Sequence, residues 1–586
     1  MLAVLKQAVN AHRLEPVPLS IKHLKKLGGT GFRLCGPLLV CLVAGLPSLV
    51  AGPVRGGTLH VVERAEPKTL NPVIVMDGPS RAIAGRLHAD LITMDRLTQK
   101  SKPSLAESWT RSTDGRTYTL KLRSGVKFSD GHPFTADDVV FSFAVYVDPK
   151  VNSPQRDLLM IDDQPIDVMR RDALTVEVRL PAPYAAAESM FDSIAMLPKH
   201  KLEAAWRAGK LREAWSLSTA PAEIAGLGPF RLREYRPGEA IVLERNPFYW
   251  KRAADGDSLP YLDAIEMRFA AEEDAQLARF ASGELDIVNR VTPKSIPFLK
   301  SQGAVLADLG PGLEYNFLCF NLSPGSSKLA WFGKREFREA LSLVVDREGM
   351  ARLVFDGKAE PIWGHVTPGN KQWFSSSLAR SKRSVATARE RLKQAGFSWN
   401  SQGSLLDVGG NPVEFSVVVS SSSAERSRMA TVLQADFRDI GIQVTITPIE
   451  YRSLLDRVLN TRQFDTFLLG LGGGSPDPNA EMNVWLSSGA MHLWNPSQKQ
   501  PASAWEGEID RLMKSQVKEL DAGERRKLYD RVQNIVARET PLIFLVSPNV
   551  VAAAQPNVGN FRPSTLEHST LWNAEDLYLL PRRTLK

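Results

Sequence analysis

The chain has 586 residues, 43% of them hydrophobic and 24% charged, which is the balance of a folded protein with more than one compact unit. The net charge of +8 is uneven, because the first 51 residues hold six Lys and Arg against one acid. The rest of the chain carries 67 basic and 64 acidic residues and no long basic run, so the charge pattern argues against nucleic-acid binding.

The N-terminus has the pattern of an export signal. A basic region ends at Arg33 and is followed by the apolar run of residues 34–52, which contains helix breakers and ends in small residues. We predict a signal peptide over residues 1–51, with cleavage near Ala51. Lipidation of Cys41 is not expected because Val40 precedes it. The alternative is an uncleaved signal anchor, since the run approaches the length of a membrane span.

The cysteine count argues against disulfide bonds in the mature chain. Only three cysteines exist, and Cys35 and Cys41 lie in the predicted signal. Cys319 is then alone within the apolar run "FLCFNL", where a buried structural thiol is expected.

The stretch 114–142 predicts a strand, two turns and a capped helix. Residues 118–123 alternate apolar and polar side chains, and Ser-Gly and Asp-Gly pairs follow as turns. Thr135 lies three residues before Asp138, an acidic variant of the capping box, so a helix should begin there. We interpret Asp137 and Asp138 as helix-capping charges rather than catalytic acids.

The segments that follow predict further strands and one helix. Residues 173–184 alternate as a strand that stops at prolines, and residues 226–250 read as a hairpin with a Pro-Gly turn. A helix is expected around residues 274–282, ended by Gly283, and a buried strand should run through residues 285–288.

A second region begins near Tyr315 with the buried strand "YNFLCFNL". Residues 335–355 predict one amphipathic helix whose apolar face includes Phe337, Leu341, Val344 and Leu353. Residues 428–451 predict a helix, a stop at Gly441 and a strand. A Gly-rich loop with a Pro-Asp-Pro turn follows, then a last helix that stops before Pro541 and the apolar strand "LIFLVSPNVVAAA".

No catalytic motif appears, so no catalytic residue and no metal ligand is assigned. The histidines form no H-E-x-x-H pair, no G-x-S-x-G sequence is present, and "GLGGGS" is not followed by G-K-[ST]. A glycosidase needs only two carboxylates, which sequence spacing does not reveal.

Beyond residue 52, nearly the whole chain resembles the extracellular solute-binding proteins of ATP-driven importers, the family that includes the dipeptide- and oligopeptide-binding proteins. The segments that carry the resemblance are "PKTLNP", "LAESWTRSTDGRTYTLKLRSGVKFSDGHPFTADDVVFSF", "GLGPFRL", "LERNPFYW", "GELDIV", "FREALSLVVDREGM" and "RLKQAGF". The longest block, residues 105–143, is specific for the family but carries little information about the ligand.

The resemblance implies a mixed α/β, two-lobed periplasmic-binding-protein fold with an extra inserted subdomain in lobe I. Lobe I would comprise residues 52–313 and the C-terminal return 548–586, with the inserted subdomain at about 84–221. Lobe II would comprise residues 314–547. The lobes would close on a ligand, and the closed form would be presented to a permease.

The resemblance also marks a departure in the Gly-rich loop. In peptide-binding members an aspartate of this loop pairs with the peptide's α-amino group, shortly after a tryptophan. Aligned on Asp477 and Pro478, these two positions hold Gly474 and Leu471. Either Asp477 replaces the missing acid, or it is a turn residue and the ligand has no free amine.

Position in the family fold gives the candidate ligand-binding residues. Trp485 is expected either to stack on the ligand or to lie in the core, and the glycines would allow the backbone to approach the ligand closely. The candidates are Tyr315, Asn316, Trp363, His365, Gly472, Gly473, Gly474, Ser475, Asp477 and Trp485.

These observations predict a periplasmic or extracellular receptor rather than an enzyme, with no cofactor. It would act as a monomer, bind a peptide or related small solute between its lobes and deliver it to ABC permease subunits at the inner membrane. The alternatives are the same fold with a non-peptide ligand, such as an oligosaccharide or a metal chelate, and a secreted hydrolase.

Overall fold

The computed structural model describes residues 52–472, 475–566 and 570–582. Residues 1–51, and with them the predicted signal peptide, lie outside the described residues. The strands are β1 (Thr58–Glu63), β2 (Ile92–Met94), β3 (Ser101–Pro103), β4 (Ala106–Arg111), β5 (Thr117–Leu122), β6 (Met160–Ile161), β7 (Gln164–Pro165), β8 (Asp167–Arg170), β9 (Thr175–Arg179), β10 (Phe230–Arg236), β11 (Ala240–Arg245), β12 (Ala264–Phe269), β13 (Ile287–Val288), β14 (Val305–Pro311), β15 (Glu314–Phe320), β16 (Ala359–Pro361), β17 (Ser398–Trp399), β18 (Leu405–Leu406), β19 (Glu414–Ser420), β20 (Gln443–Ile449), β21 (Thr466–Gly472), β22 (Leu542–Phe544), β23 (Val546–Ala554), β24 (Val558–Gly559) and β25 (Tyr578–Leu579).

The α-helices alternate with these strands throughout the described chain. They are α1 (Gly78–Leu87), α2 (Ala136–Val147), α3 (Ala187–Phe191), α4 (Lys199–Arg207), α5 (Glu273–Ala281), α6 (Ile296–Ser301), α7 (Leu329–Phe332), α8 (Arg335–Val344), α9 (Arg347–Phe355), α10 (Val385–Gln394), α11 (Ala424–Arg438), α12 (Tyr451–Asp456), α13 (Met482–Trp485), α14 (Ala504–Gln516) and α15 (Ala522–Glu539). None of the helices in the described ranges is both long and apolar enough to cross a membrane.

Four principal sheets organise the molecule. Their strand orders are β1-β12-β11-β10, β4-β5-β9-β8, β13-β23-β14 with β16 also paired to β23, and β20-β19-β21-β15-β22. The mixture of parallel pairs, such as β1 with β12, and antiparallel pairs, such as β10 with β11, confirms the predicted mixed α/β class.

The hydrophobic cores divide the chain into two parts. Two cores draw on residues 59–299 and 551–577, and two others draw on residues 315–546. We call these parts the first lobe and the second lobe. The sheet β4-β5-β9-β8 lies within the predicted inserted subdomain, and its buried side chains join one core with those of the sheet β1-β12-β11-β10. The predicted domain boundaries and the limits of that subdomain stay predictions.

Chain crossings connect the two lobes. β14 leads directly into β15, and β22 leads into β23 through the fully buried Leu545. β23 pairs with β13 and β14 of the first lobe and with β16 of the second. The apolar run predicted as one strand is therefore two, since β22 pairs with β15 in the second-lobe sheet instead.

Most locally specified elements form as predicted. The hairpin β10–β11 turns at Gly238, where φ is +72°, and Gly283 and Gly441 end helices with φ of +78° and +84°. The Cys319 thiol is buried and free, as expected.

The single helix predicted over residues 335–355 is wrong. The chain forms α8 and α9 with a break at Val345 and Asp346, where the Asp346 side chain accepts the Gly349 N–H at 2.8 Å and begins a new helix. Leu353 is 63% exposed rather than on the buried face, because the break changes the helical phase.

The capping box of α2 supplies a test of a local sequence signal. Thr135 accepts the Asp137 N–H, and Asp138 accepts the Thr135 N–H at 2.9 Å and the Lys199 N–H at 3.1 Å. We expect Thr135→Ala to lower the free energy of unfolding by about 1 kcal/mol in urea titrations, because it removes the helix cap. The control is Thr431→Ala at an exposed position inside α11, where alanine should not destabilise. Equal losses in the two variants would contradict the capping role.

Candidate functional site

Two cavities of the described chain are lined by charged side chains, one cavity in each lobe. The first-lobe cavity has a volume of about 300 Å³. The second-lobe cavity is about 20 Å³, enough for one water molecule, and Leu313 of the crossing segment lines it. Glu314, the next residue, attracts the Arg290 guanidinium, which lines the first-lobe cavity.

Strand ends and one helix build the first-lobe cavity. Glu63 is the last residue of β1 and Arg64 follows it, while Arg290 comes two residues after β13. The His60 N–H donates to the Asp286 carboxylate at 2.8 Å, which holds the start of β13 beside β1. The complete lining is Val61, Val62, Glu63, Arg64, Gly78, Pro79, Arg81, Ala82, Arg86, Gln276, Ile287, Asn289, Arg290, Thr570 and Leu571.

The lining of the first-lobe cavity is basic. Four arginines and a single acid, Glu63, contribute to it. Burial raises the pKa of Glu63 to about 7, although Arg86 and Arg290 oppose that rise. The pKa of Arg290 is lowered by desolvation and by the nearby Arg64 charge. Arg64 and Arg290 both keep solvent-exposed surface, so these charges face an open hollow rather than a sealed core.

The Asp477 turn forms one wall of the second-lobe cavity. Asp477 caps a short 3₁₀ helix, Pro478–Glu481, by accepting the Asn479 N–H at 2.9 Å. Its two carboxylate oxygens also accept from both terminal nitrogens of Arg525, at 2.7 and 2.8 Å. Arg525 is itself buried, and its Nε donates to the Gln516 backbone and side chain. Asp477 is therefore held by a bidentate pair within the protein.

A partly buried residue, Glu481, also lines this cavity. The Trp485 indole N–H donates to it at 2.8 Å. Burial raises the pKa of Glu481 to about 7, an effect partly offset by Trp485 and Tyr315. His365 contacts the Tyr529 hydroxyl through Nε2 at 3.0 Å, and burial lowers the pKa of His365 to about 3. His365 is thus neutral at physiological pH.

The structure places only some of the predicted site residues at the second-lobe cavity. His365, Ser475 and Asp477 line the second-lobe cavity. Tyr315 and Trp485 are fully buried in the core behind it, which is the alternative expected for Trp485.

The other predicted site residues lie elsewhere. Asn316 is on the opposite face of β15, where its side-chain oxygen accepts from Arg426 Nε at 3.2 Å. Trp363 lines a separate hollow of about 30 Å³ and donates to the Ser381 carbonyl at 3.2 Å. Gly472 is exposed at the end of β21, and Gly473 and Gly474 lie outside the described residues.

Sequence reasoning missed the charged residues that characterise both cavities. One local feature of the sequence could have indicated three of them. Glu63, Arg64 and Arg290 each end or closely follow a strand. No local feature of the sequence indicates Glu481 or Arg525. Arg525 of α15 meets the Asp477 turn only in the folded chain. In the described part of the chain, no group of three or more His, Cys, Asp or Glu side chains is arranged to hold a metal ion.

The raised pKa of Glu481 has a measurable consequence. The folded protein keeps this proton between pH 4.5 and about 7, whereas the unfolded chain does not, so the contribution of Glu481 to stability falls as the pH rises through that range. We expect Glu481→Gln to gain stability relative to the wild type by on the order of 1–3 kcal/mol between pH 5 and pH 8 in urea titrations. The control Glu390→Gln, at an exposed site on α10, should show no such change. A constant difference between Glu481→Gln and wild type at both pH values would contradict the assignment.

Comparison with known proteins places this geometry in one family. Residues 100–492 match the family described as bacterial extracellular solute-binding proteins, family 5. The "Probable ABC transporter-binding protein" of Deinococcus radiodurans is 30% identical over 89% of this chain and 93% of its own length. The oligopeptide-binding protein AppA of Bacillus subtilis, solved with a nonapeptide, superposes with a TM-score of 0.67 at 25% identity, covering 90% of this chain and 100% of AppA. NikA of Brucella suis, solved with Fe(III)-EDTA, gives a TM-score of 0.74 at 22% identity over 90% of this chain and 100% of NikA. The chain belongs to the family 5 bacterial extracellular solute-binding proteins.

Proposed function

We propose that this protein is the exported substrate-binding receptor of an ATP-driven importer, which binds a small solute between its lobes and delivers it to the permease subunits. The observation that carries the proposal is the direct hydrogen bonding between the two lobes, in which Gln99 of the first lobe is buried against the second. Its partners are the solute and the membrane permease. A signal peptide over residues 1–51 would export it to the periplasm or the cell exterior, where it would act as a monomer without enzymatic activity.

Gln99 of the first lobe is central to the contact between the lobes. Its buried side chain donates to the Gly369 carbonyl at 2.7 Å and accepts the Lys371 N–H at 2.8 Å. The Ala185 N–H donates to the Val517 carbonyl at 2.8 Å, which is a second backbone connection across the lobes. These bonds need the lobes to be together, so they belong to a closed arrangement that a ligand would favour by contacting both sides.

Peptides are the first class of solute that we propose, since the relatives include the peptide-bound AppA. A non-peptide solute, or a peptide without a free amine, is the second class, and the Asp477–Arg525 pair favours it. Both oxygens of Asp477 are already used by Arg525. A ligand ammonium would have to displace this buried guanidinium, which would leave Arg525 unpaired at a cost of several kcal/mol.

A binding experiment can separate the two classes. Protein stripped of ligand by unfolding and refolding is mixed with a pool of free tripeptides, with the same pool N-acetylated, or with neutral oligosaccharides, and its thermal midpoint is measured. A ligand at 100 times its Kd stabilises the folded form by about 2.7 kcal/mol, so the midpoint should rise clearly with at least one pool. Native mass spectrometry of the unstripped protein identifies any retained solute.

The outcomes of this experiment are distinct. A rise with free tripeptides but not with N-acetylated ones would contradict the second class. Turnover of a bound compound would contradict the receptor proposal itself. The receptor proposal would also be contradicted if native mass spectrometry found no bound solute and no pool raised the thermal midpoint.

The interlobe contact of Gln99 gives an independent prediction. Gln99→Ala removes two hydrogen bonds of about 1 kcal/mol each that exist only with the lobes together, so the Kd for the stabilising pool should rise about 5-fold or more. Titration calorimetry measures the change, and Gln402→Ala at an exposed turn is the matched control. An unchanged Kd in Gln99→Ala would show that this contact does not contribute to closure.

A further inference from the structure

We propose that the first-lobe cavity binds an anionic oxyacid group of the solute, a carboxylate or a phosphate, through Arg64 and Arg290. The inference rests on the proposed receptor function and specifies the chemistry of the solute. It concerns a cavity of the first lobe, whereas the site expected from the sequence lies in the second.

Positive charge exceeds negative charge in the lining of the first-lobe cavity. Four arginines face a single acid, and Glu63 has a pKa of about 7, so it is only partly ionised at neutral pH. Glu314 attracts Arg290 from outside the cavity, but Glu314 also pairs with Arg426 at 3.1 Å. The lining therefore keeps a positive charge that its own acids do not neutralise.

Arg64 and Arg290 also differ from the buried arginines of this protein in their lack of partners. In the described part of the chain, the side chains of Arg64 and Arg290 make no ion pair and no hydrogen bond, and their charges repel each other. The buried arginines Arg347 and Arg525 behave differently. Arg347 donates to the Phe544 carbonyl at 2.7 Å and to Ser342, and Arg525 is paired with Asp477. Arg347 and Arg525 are thus held by partners within the protein, whereas Arg64 and Arg290 have solvent-exposed side chains without such partners among the described residues.

The shape and remaining polar groups of the cavity fit a small anion-bearing solute. A volume of about 300 Å³ lies at the lower end of the range for small-molecule sites. Guanidinium groups hold carboxylates and phosphates through two parallel hydrogen bonds. The Asn289 side chain lines the same cavity, so its amide is a further polar group beside the arginines.

Matched probes test the anion requirement on the full-length protein after ligand stripping. The carboxylate probes are a free tripeptide pool and glutarate, and each has an amidated counterpart. The phosphate probes are inorganic phosphate and glycerol 3-phosphate, with glycerol as the neutral counterpart. We expect at least one anionic probe to bind by calorimetry and its neutral counterpart to bind at least 10-fold more weakly. The series that binds identifies the anion as carboxylate or phosphate.

Charge-removing variants locate the site. Arg290→Gln and Arg64→Gln should each weaken the anionic probe at least 10-fold, while Arg233→Gln, at an exposed position on β10 of the same lobe, should leave its Kd unchanged. Arg290→Lys keeps the charge and should retain more affinity than Arg290→Gln. Urea titrations confirm that each variant is folded.

Three results would overturn the inference. The first is an anionic probe that binds the Arg64→Gln/Arg290→Gln double variant as tightly as the wild type. The second is equal binding of charged and amidated probes, which leaves the receptor function standing without the anion site. The third is a lack of binding by every anionic probe. In that case, stabilisation by neutral oligosaccharides would preserve the receptor function, and its absence would remove both proposals.

Discussion

Strand β23 is the element on which the two-lobed arrangement depends, because it pairs with strands of both lobes at once. Its register sets Val305 opposite Ala554 in the first lobe and Pro361 opposite Val546 in the second. The buried Ser547 side chain adds a hydrogen bond to the Glu314 carbonyl at 2.6 Å, which ties β23 to the other crossing. Gly369 packs so closely on the Gly312 carbonyl that a Cβ would lie 2.6 Å from that oxygen, so the second lobe rests directly on the crossing backbone. The second-lobe cavity adjoins this junction through Leu313, and Glu314 of the same crossing attracts Arg290 of the first-lobe cavity.

The arginines discussed above fall into two physical classes. Arg338 and Arg347 are deeply enclosed, and burial lowers the pKa of each to about 10. Arg338 nevertheless donates to several carbonyls, among them that of Phe332 at 2.6 Å, and these hydrogen bonds offset part of its desolvation penalty. Arg290 keeps exposed surface, and its pKa is lowered by desolvation and by the Arg64 charge, while Glu314 and Glu63 oppose that change. The first class is held by hydrogen bonds within the packing of α8, α9 and β22, whereas the second has no hydrogen-bond partner among the described residues.

The sequence predicted what local rules control and missed what depends on distant contacts. The Thr135 capping box and the Met429, Leu433 and Phe437 stripe of α11 follow from spacing alone, and all formed. The break between α8 and α9 was missed because Asp346 looks like a tolerable helix residue until its capping bond to Gly349 forms. The partner of Asp477 was missed for a stronger reason. Arg525 lies on α15, so no spacing rule connects them. The family resemblance singled out this turn but did not indicate that its carboxylate is already paired.

The two cavities together limit the charge that a solute can carry. In the second lobe, the acid that could receive a cation is already paired with Arg525, and the other carboxyl, Glu481, has its pKa raised to about 7 by burial. In the first lobe, Arg64 and Arg290 have no such partner among the described residues. A cation would meet repulsion from the arginines of the first-lobe cavity. In the second-lobe cavity it would find acceptors that are already paired or only weakly ionised, so it would gain little to offset its lost hydration. An anion would find unpaired guanidinium groups, and its arrival would relieve the repulsion between them. The electrostatics of the junction therefore favour a solute that presents negative charge to the first lobe.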